Sequence, residues 1–393
     1  MIISRDNRIA GAMGLLGFCA AALFTAFLPH PGLYGDSPEY FTLASNISAG
    51  LGFTLDGSAP YLYRPPLFSA ALGLWFRVFA GPGLLSAALF QSFVFGLGAA
   101  AAYLLALELL PSRKYSVWAA AAVALNPFLL PFNSYVLQEP LLLCLTAWAL
   151  VFSVRLLKQG RTTDAVLAGL FWGLCVLGKA VAWFAPGLLF VFAPAMKNAG
   201  LKRGALALGL AMLAVLPWTA RNYYVSGRFI PVNDQGAGAL EWYVSKGAHA
   251  AAGGGEMALT LRQSADSEEQ YRKDLVAFIL SRPRLVLKQT LLNALRFMEL
   301  DREWYGKAAG LSMRWQYWLL PFLLLQLPLY AGLFMGLRGV APHLLFLNAF
   351  YLLYWLQYAL YWGEPRFAVP VYPALLCLGI LGWLGRKKPA PVS

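Results

Sequence analysis

PPLFSAALGLWFRVFA, residues 65–80, is the run whose reading decides the fold. It is apolar, yet only about 16 residues long, opens on Pro65-Pro66 and carries Arg77. A helix that crosses a bilayer needs about 20 mostly apolar residues. Ten further apolar runs lie at roughly 9–28, 84–110, 115–132, 138–156, 162–179, 182–196, 203–224, 317–337, 341–361 and 365–385. If 65–80 crosses the membrane, Arg113 and Lys114, Arg155, Lys158 and Arg161, Lys197, Lys202 and Arg203, and Arg386, Lys387 and Lys388 all fall outside. If it lies along the outer interface, these join Arg5, Arg8 and Arg338 inside. That arrangement puts 14 Lys/Arg in short inner segments and leaves Arg64, Lys179 and Arg366 in short outer ones. Short cytoplasmic segments carry the Lys/Arg excess, so the second arrangement is expected.

The expected fold class is therefore all-α: a polytopic integral membrane protein of the inner (cytoplasmic) membrane with about ten transmembrane helices. Both termini are cytoplasmic, and juxtamembrane helices lie on the extracytoplasmic side. Residues 1–393 form a single membrane domain. A first extracytoplasmic segment spans 29–83, its loop running to about 64 and its helix covering about 66–80. A long extracytoplasmic loop spans 225–316, with 12 basic and 10 acidic residues. Long translocated segments escape the charge rule. In that loop, Leu275, Phe278 and Ile279, then Leu285 and Val286, have helical spacing interrupted by Pro283, which predicts two amphipathic interfacial helices.

Composition agrees with this class. Of 393 residues, 59% are apolar and 12% charged, about half the charged fraction of a soluble domain. A mean hydropathy of +0.59 excludes a soluble enzyme and a disordered chain. The net charge of +13 would suggest nucleic acid in a soluble protein, but here it reflects loop bias, so no nucleic-acid partner is expected. Cys19, Cys144, Cys175 and Cys377 sit in apolar runs without C-x-x-C spacing, and His30, His249 and His343 are scattered. The cysteines read as small buried hydrophobes. The run at 9–28 is long for a signal-peptide core and is read as an uncleaved first span.

The expected topology gathers the sharp polar residues at one face. Asp36 and Glu39 lie in the first loop, and Arg64 precedes the interfacial helix. Glu139 opens one span, Lys179 closes the next, Arg221 and Asn222 end the seventh, and Glu364 and Arg366 open the last. Membrane-edge ionisable residues are functional candidates by default. Carboxylates here supply a general base, with a divalent metal at Asp36 the alternative, although no clean ligand set is visible. The cations Arg64, Lys179, Arg221 and Arg366 can hold a phosphate. Tyr63, Asn222 and Glu364 are candidates for lining the substrate site. Tyr61, Tyr63, Trp183, Trp242, Tyr243, Trp304 and Tyr305 fall near the outer interface, where an aromatic belt accounts for most such residues.

Asp36 stands in GLYGDSPEYFTLASNISAGLGF (32–53), followed by YRPPLFSAALGLWF (63–76). With NPFLLPFNSYVLQEPLLL (126–143), LPWTARNYYVSGRFIPV (216–232), FILSRPRLVLKQTLLNALRF (278–297) and EPRFAVPVYPALL (364–376), this ordered set resembles the GT-C superfamily of polytopic glycosyltransferases. The resemblance is to the protein O-mannosyltransferase-like and aminoarabinose lipid A transferase-like branch. It implies a polyprenyl-phosphate-linked sugar as donor and transfer of a hexosyl or pentosyl group on the extracytoplasmic side. The acceptor is a hydroxyl on lipid, glycan or protein, in contact with membrane lipids. The resemblance makes Asp36 the catalytic base, with Glu39 and Glu139 as further candidate acids, and puts Arg64 near the donor phosphate. The branch often has two adjacent acids in this loop, whereas here Ser37 and Pro38 separate Asp36 from Glu39. No large C-terminal domain follows, so acceptor recognition is expected from the 225–316 loop or the membrane.

Two readings from other classes compete. A secondary transporter would place its charges near the midplane between two related halves, and neither feature is visible. An envelope glycan polymerase or ligase acting on lipid-linked glycans would share the outward cavity and differ in substrates.

Overall fold

A backbone in lipid must satisfy its hydrogen bonds within its own segment, and the apolar runs fold accordingly as helices. The computed structural model describes residues 4–27, 33, 35–299, 322–336 and 341–385. Among these no strand forms, only a single antiparallel bridge between Thr54 and Pro60. His30, Trp304, Tyr305, Arg338, Arg386, Lys387 and Lys388 lie outside the described residues, as do 300–316 of the long loop.

Five helical segments are long and apolar enough to cross a bilayer: α1 (Arg5–Phe27), α4 (Leu84–Leu109), α6 (Glu139–Gln159), α9 (Gly200–Ser226) and Pro365–Leu384. The last is a 3₁₀ turn, Pro365–Val371, running into α17 (Tyr372–Leu384). The most apolar windows of α4 and α6 are 72% and 89% buried, against 22% and 28% for α1 and α9. The first pair therefore forms the interior, and α1 and α9 the periphery, exposing Leu15, Leu23, Met212, Leu213 and Leu216. α7 (Thr162–Gly178) packs between α6 and α9. The chain turns back through a 3₁₀ turn at Ala180–Trp183 and α8 (Phe184–Phe192). α15 (Leu327–Met335) and α16 (Pro342–Leu360) complete the bundle. α15 and α17 touch backbone to backbone: a Cβ on Gly382 would fall on the Gly332 carbonyl, the small-residue packing that serves helix pairs in membranes.

The run at 65–80 is α3 (Leu67–Trp75), extended by one wider turn to Ala80. It is a short helix packed on α2 (Ser37–Ser48), with Phe68 edge-on to Tyr40 at 5.3 Å and Phe76 to Phe41 at 5.6 Å. The expected span at 115–132 differs: α5 (Arg113–Ala124) stops early. Asn126 Oδ1 accepts from the Phe128 amide at 2.8 Å, and Pro127 lacks a donor, so the chain leaves the helix there. The irregular stretch is largely buried between helices, the one setting where broken backbone is tolerated at membrane depth.

Between α9 and α15 the described chain forms α10 (Gly236–Val244), α11 (Gly247–Ala250), α12 (Gly254–Ser264), α13 (Glu268–Leu280) and α14 (Pro283–Met298), with the break at Pro283. Tyr243, Val244, Ala258, Tyr271, Leu275 and Phe278 give this segment a small core of its own.

The two ends of the bundle carry different chemistry. One has surface pairs: Asp6 with Arg113 at 2.8 Å, and Glu108 with Arg155 at 2.9 Å and Lys158 at 3.1 Å. At 1.5 Å per residue, α6 separates Lys158 from Glu139 by about 30 Å. The Glu139 end holds the cavity described next.

Candidate active site

Asp-Ser-Pro-Glu at 36–39 has the makings of a helix start, with Asp36 at the N-cap, Pro38 in the first turn and Glu39 three residues on. The backbone obeys, but Asp36 makes no capping bond. Its Oδ1 accepts instead from Arg64 Nη2 at 2.8 Å and its Oδ2 from Arg366 Nη1 at 3.2 Å. Glu39 likewise accepts from Arg64 Nε at 2.7 Å and from the Tyr61 hydroxyl at 2.5 Å. Arg366 reaches back to Glu364 at 2.7 Å, and Trp362 Nε1 donates to the other Glu364 oxygen at 2.7 Å. Residues from three distant parts of the chain thus form one network.

Burial works against ionisation of Asp36, but Arg366 and then Arg64 outweigh it and hold the carboxyl below the usual aspartate range. A depressed folded-state value means the ion pairs are fully present above the ordinary value, about 3.9, and are lost as pH falls through the depressed one. The stability difference between the native chain and Asp36→Asn, measured by thermal unfolding in detergent, is therefore expected to hold constant from pH 8 to about 5 and to shrink below about 4. Burial, and the bond to Glu39, push the Tyr61 phenol up, so it remains a donor.

The network borders a cavity of about 780 Å³ lined by Asp36, Arg64, Glu139, Lys179, Glu364 and Arg366. Tyr63, Trp242 and Trp362 supply aromatic walls, and Gln138, Asn233, Gln235 and Gln357 supply amides. Lys179 Nζ lies 3.7 Å from the Phe367 ring centre and 5.1 Å from that of Tyr358. Among the described residues it has no carboxylate within ion-pair distance. Glu139, the first residue of α6, is 2% exposed, and its Oε2 has no hydrogen-bond partner. A buried oxygen left so costs about 1–3 kcal/mol, a cost natural proteins mostly carry where function requires it.

Arg221 and Asn222 lie outside this lining. Arg221 donates to the carbonyls of Tyr61 at 3.1 Å and Phe53 at 3.4 Å, and sits over the Trp218 ring. Asn222 is fully buried and donates to the carbonyls of Ile230 and Val232. Both hold loops that flank the cavity. Glu39 stands one step behind, touching the cavity through Arg64. Of the interfacial aromatics, Tyr63 and Trp242 line the cavity, whereas Tyr243 belongs to the small core of the long loop. Sequence reasoning missed Trp362 and the four amides, because single amides and indoles, in apolar runs or in the long loop, carry no spacing signal. The D-x-x-E pattern whose side chains decline to cap is a signal only once the structure is seen.

The residues do not fit a divalent cation. Among the described residues no three carboxylate, histidine or cysteine side chains gather in metal-binding arrangement, and each Asp36 oxygen is already held by a guanidinium. A hard cation wants several free oxygens.

No family model and no curated protein matches the sequence. Among solved structures, the archaeal oligosaccharyltransferase AglB from Archaeoglobus fulgidus, in complex with an inhibitory peptide and a dolichol-phosphate, shares 16% identity at a TM-score of 0.56. That match covers 97% of this chain and 52% of AglB. The apo form of the A. fulgidus oligosaccharyltransferase gives 16%, 0.55, 95% and 50% for the same quantities. ArnT from Cupriavidus metallidurans, bound to undecaprenyl phosphate, gives 15%, 0.43, 94% and 77%. The chain thus spans about half the length of the oligosaccharyltransferases it matches. At these identities the likeness to the A. fulgidus oligosaccharyltransferase establishes a shared fold.

Proposed function

We propose that the chain is a membrane glycosyltransferase that moves a hexosyl or pentosyl group from a polyprenyl-phosphate carrier to an acceptor hydroxyl on the extracytoplasmic face. The observation that carries this reading is Lys179, a cation without a carboxylate partner among the described residues, in a cavity beside the Asp36, Arg64 and Arg366 network. The cavity opens at one end of an apolar bundle, where a lipid headgroup arrives. The dolichol-phosphate bound by AglB, on the same fold, supports the class of carrier.

The donor phosphate first meets Lys179. Arg64 and Arg366 then exchange Asp36 for phosphate oxygens, since guanidinium binds phosphate and carboxylate with the same fork geometry. The exchange releases the Asp36 carboxylate and restores the basicity its two partners suppress. Asp36 takes the proton of the acceptor hydroxyl as the acceptor oxygen bonds to the anomeric carbon. The anomeric carbon–phosphate oxygen bond breaks, its electron pair leaving on the lipid phosphate, which the three cations hold. A single displacement inverts the anomeric centre. Base strength thereby appears only when donor is bound, which limits idle hydrolysis.

Purified protein given labelled sugars on defined polyprenyl phosphates, with lipid and glycan acceptors, is expected to yield labelled product. A transporter would yield none, and a polymerase or ligase would require an assembled glycan on its carrier.

The segment that delivers Glu364 and Arg366 sets a further expectation. A Cβ at Gly363 would fall on the Asn293 carbonyl of α14. Such overpacking typically costs about 1–3 kcal/mol, relieved by backbone shifts, and any shift here moves Trp362, Glu364 and Arg366 together. Gly363→Ala is expected to lower transfer at least ~10-fold, the rate equivalent of about 1.4 kcal/mol, with helicity by circular dichroism unchanged. Equal turnover would show that this turn does not position the site.

A further inference from the structure

The sequence expectation for α14 is a helix lying flat in the interface, but its packing is of another kind. Its buried side is polar: Gln289 and Asn293 are fully buried, followed by Phe297. Gln289 Oε1 accepts from the Ala248 amide at 2.6 Å, and its Nε2 donates to Asn293 Oδ1 at 2.8 Å. Asn293 Nδ2 donates to the carbonyls of Ala359 at 3.2 Å and Tyr361 at 3.4 Å. The opposite side carries Leu287, Leu291 and Leu295, exposed to 62%, 58% and 60%. In water a surface helix turns its apolar stripe inward, so α14 has the reverse polarity.

Its partners show how it stands. Asn293 meets the end of α16 at 359–361, Trp355 Nε1 donates to the Ala294 carbonyl at 3.1 Å, and Phe297 packs against Tyr358 and Tyr354 at 5.7 and 6.2 Å. Moving down α14 therefore means moving back along α16 from its site end into the bundle. α16 likewise exposes leucines, Leu353, Leu356 and Leu360. On the same outward face the basic residues, Arg284 and Lys288, occur only in the first half of the helix, while Arg296 stands on the flank. That gradient suits phosphate headgroups at the N-terminal end and hydrocarbon beyond it.

We propose that α14 is inserted beside α16 into the leaflet on the site's side of the membrane, with Leu287, Leu291 and Leu295 against lipid acyl chains. Insertion of α14 does not depend on the reaction assigned to the cavity. Inserted so, α14 gives the turn at 359–363 a wall anchored in lipid as well as in protein.

The test is collision accessibility of nitroxides at Leu287→Cys, Leu291→Cys and Leu295→Cys, with Arg284→Cys as the headgroup-level reference. The exposed Cys19 is replaced by Ser, and the other three cysteines are buried. The full chain is placed in phosphatidylcholine/phosphatidylglycerol nanodiscs. Eight residues of helix span about 12 Å, so oxygen accessibility should rise and nickel-chelate accessibility fall stepwise from 287 to 295. Chelate access at all three would place the face in water and overturn the proposal. Closure to both reagents would overturn it too, by placing protein there, either residues 300–321 or a second copy.

Discussion

Asp36→Asn is expected to lower the turnover number for sugar transfer about 10²–10⁴-fold, the usual loss when a positioned base is removed. The informative part is what happens to donor binding. In the free protein Asp36 competes with the phosphate for Arg64 and Arg366, holding both at 2.8 and 3.2 Å. The amide keeps the shape but gives up the charge, so the guanidiniums are less occupied and polyprenyl-phosphate affinity should stay level or tighten. A turnover loss with undiminished affinity is the pattern of a base that is also a gate. If Asp36 served only to hold the two arginines in place, affinity and turnover would fall together. Full transfer activity in the variant would remove Asp36 from the mechanism altogether. Titration of carrier-phosphate binding beside single-turnover transfer, on one preparation, separates these outcomes.

The legible and illegible parts of the molecule divide along physical lines. The bilayer's length requirement acts locally, so the helical runs, and the shortness of the helix at 65–80, follow from the chain itself. The early end of α5 is also local, since Asn126-Pro127 is a breaker that hydropathy alone overrides. What sequence does not carry is the choice among equivalent partners. Arg221 and Arg366 both stand at ends of apolar runs, yet one guanidinium is spent on the carbonyls of Phe53 and Tyr61 and the other reaches Asp36 across 330 positions. In α14 the two faces are visible as residues four apart, Gln289 with Asn293 and Leu287 with Leu291 and Leu295. Which face meets protein depends on whether the other side is water or lipid, a property of the surroundings. The same holds for Lys179, whose lack of a carboxylate partner among the described residues is a fact about where Asp36, Glu139 and Glu364 come to lie.

That isolation makes Lys179→Met the counterpart of the Asp36 experiment. Methionine keeps much of the length and apolar stem and removes the charge, while the Phe367 and Tyr358 rings that flank the ammonium at 3.7 and 5.1 Å can accept a thioether. A hydrogen bond to a charged group contributes about 1.5–3 kcal/mol, so carrier-phosphate affinity should fall roughly 10- to 150-fold. Because Lys179 has no ion pair to lose among the described residues, the variant should unfold at or above the temperature of the native protein. The opposite holds for Arg366→Met, which leaves Asp36 with Arg64 and Glu364 with the Trp362 indole and should lower the unfolding temperature. Lys179→Arg should recover part of the affinity, since charge returns with a different reach. Unchanged binding of the lipid phosphate by Lys179→Met, with the fold intact, would move the phosphate site away from this cavity and take the sugar-transfer reading with it.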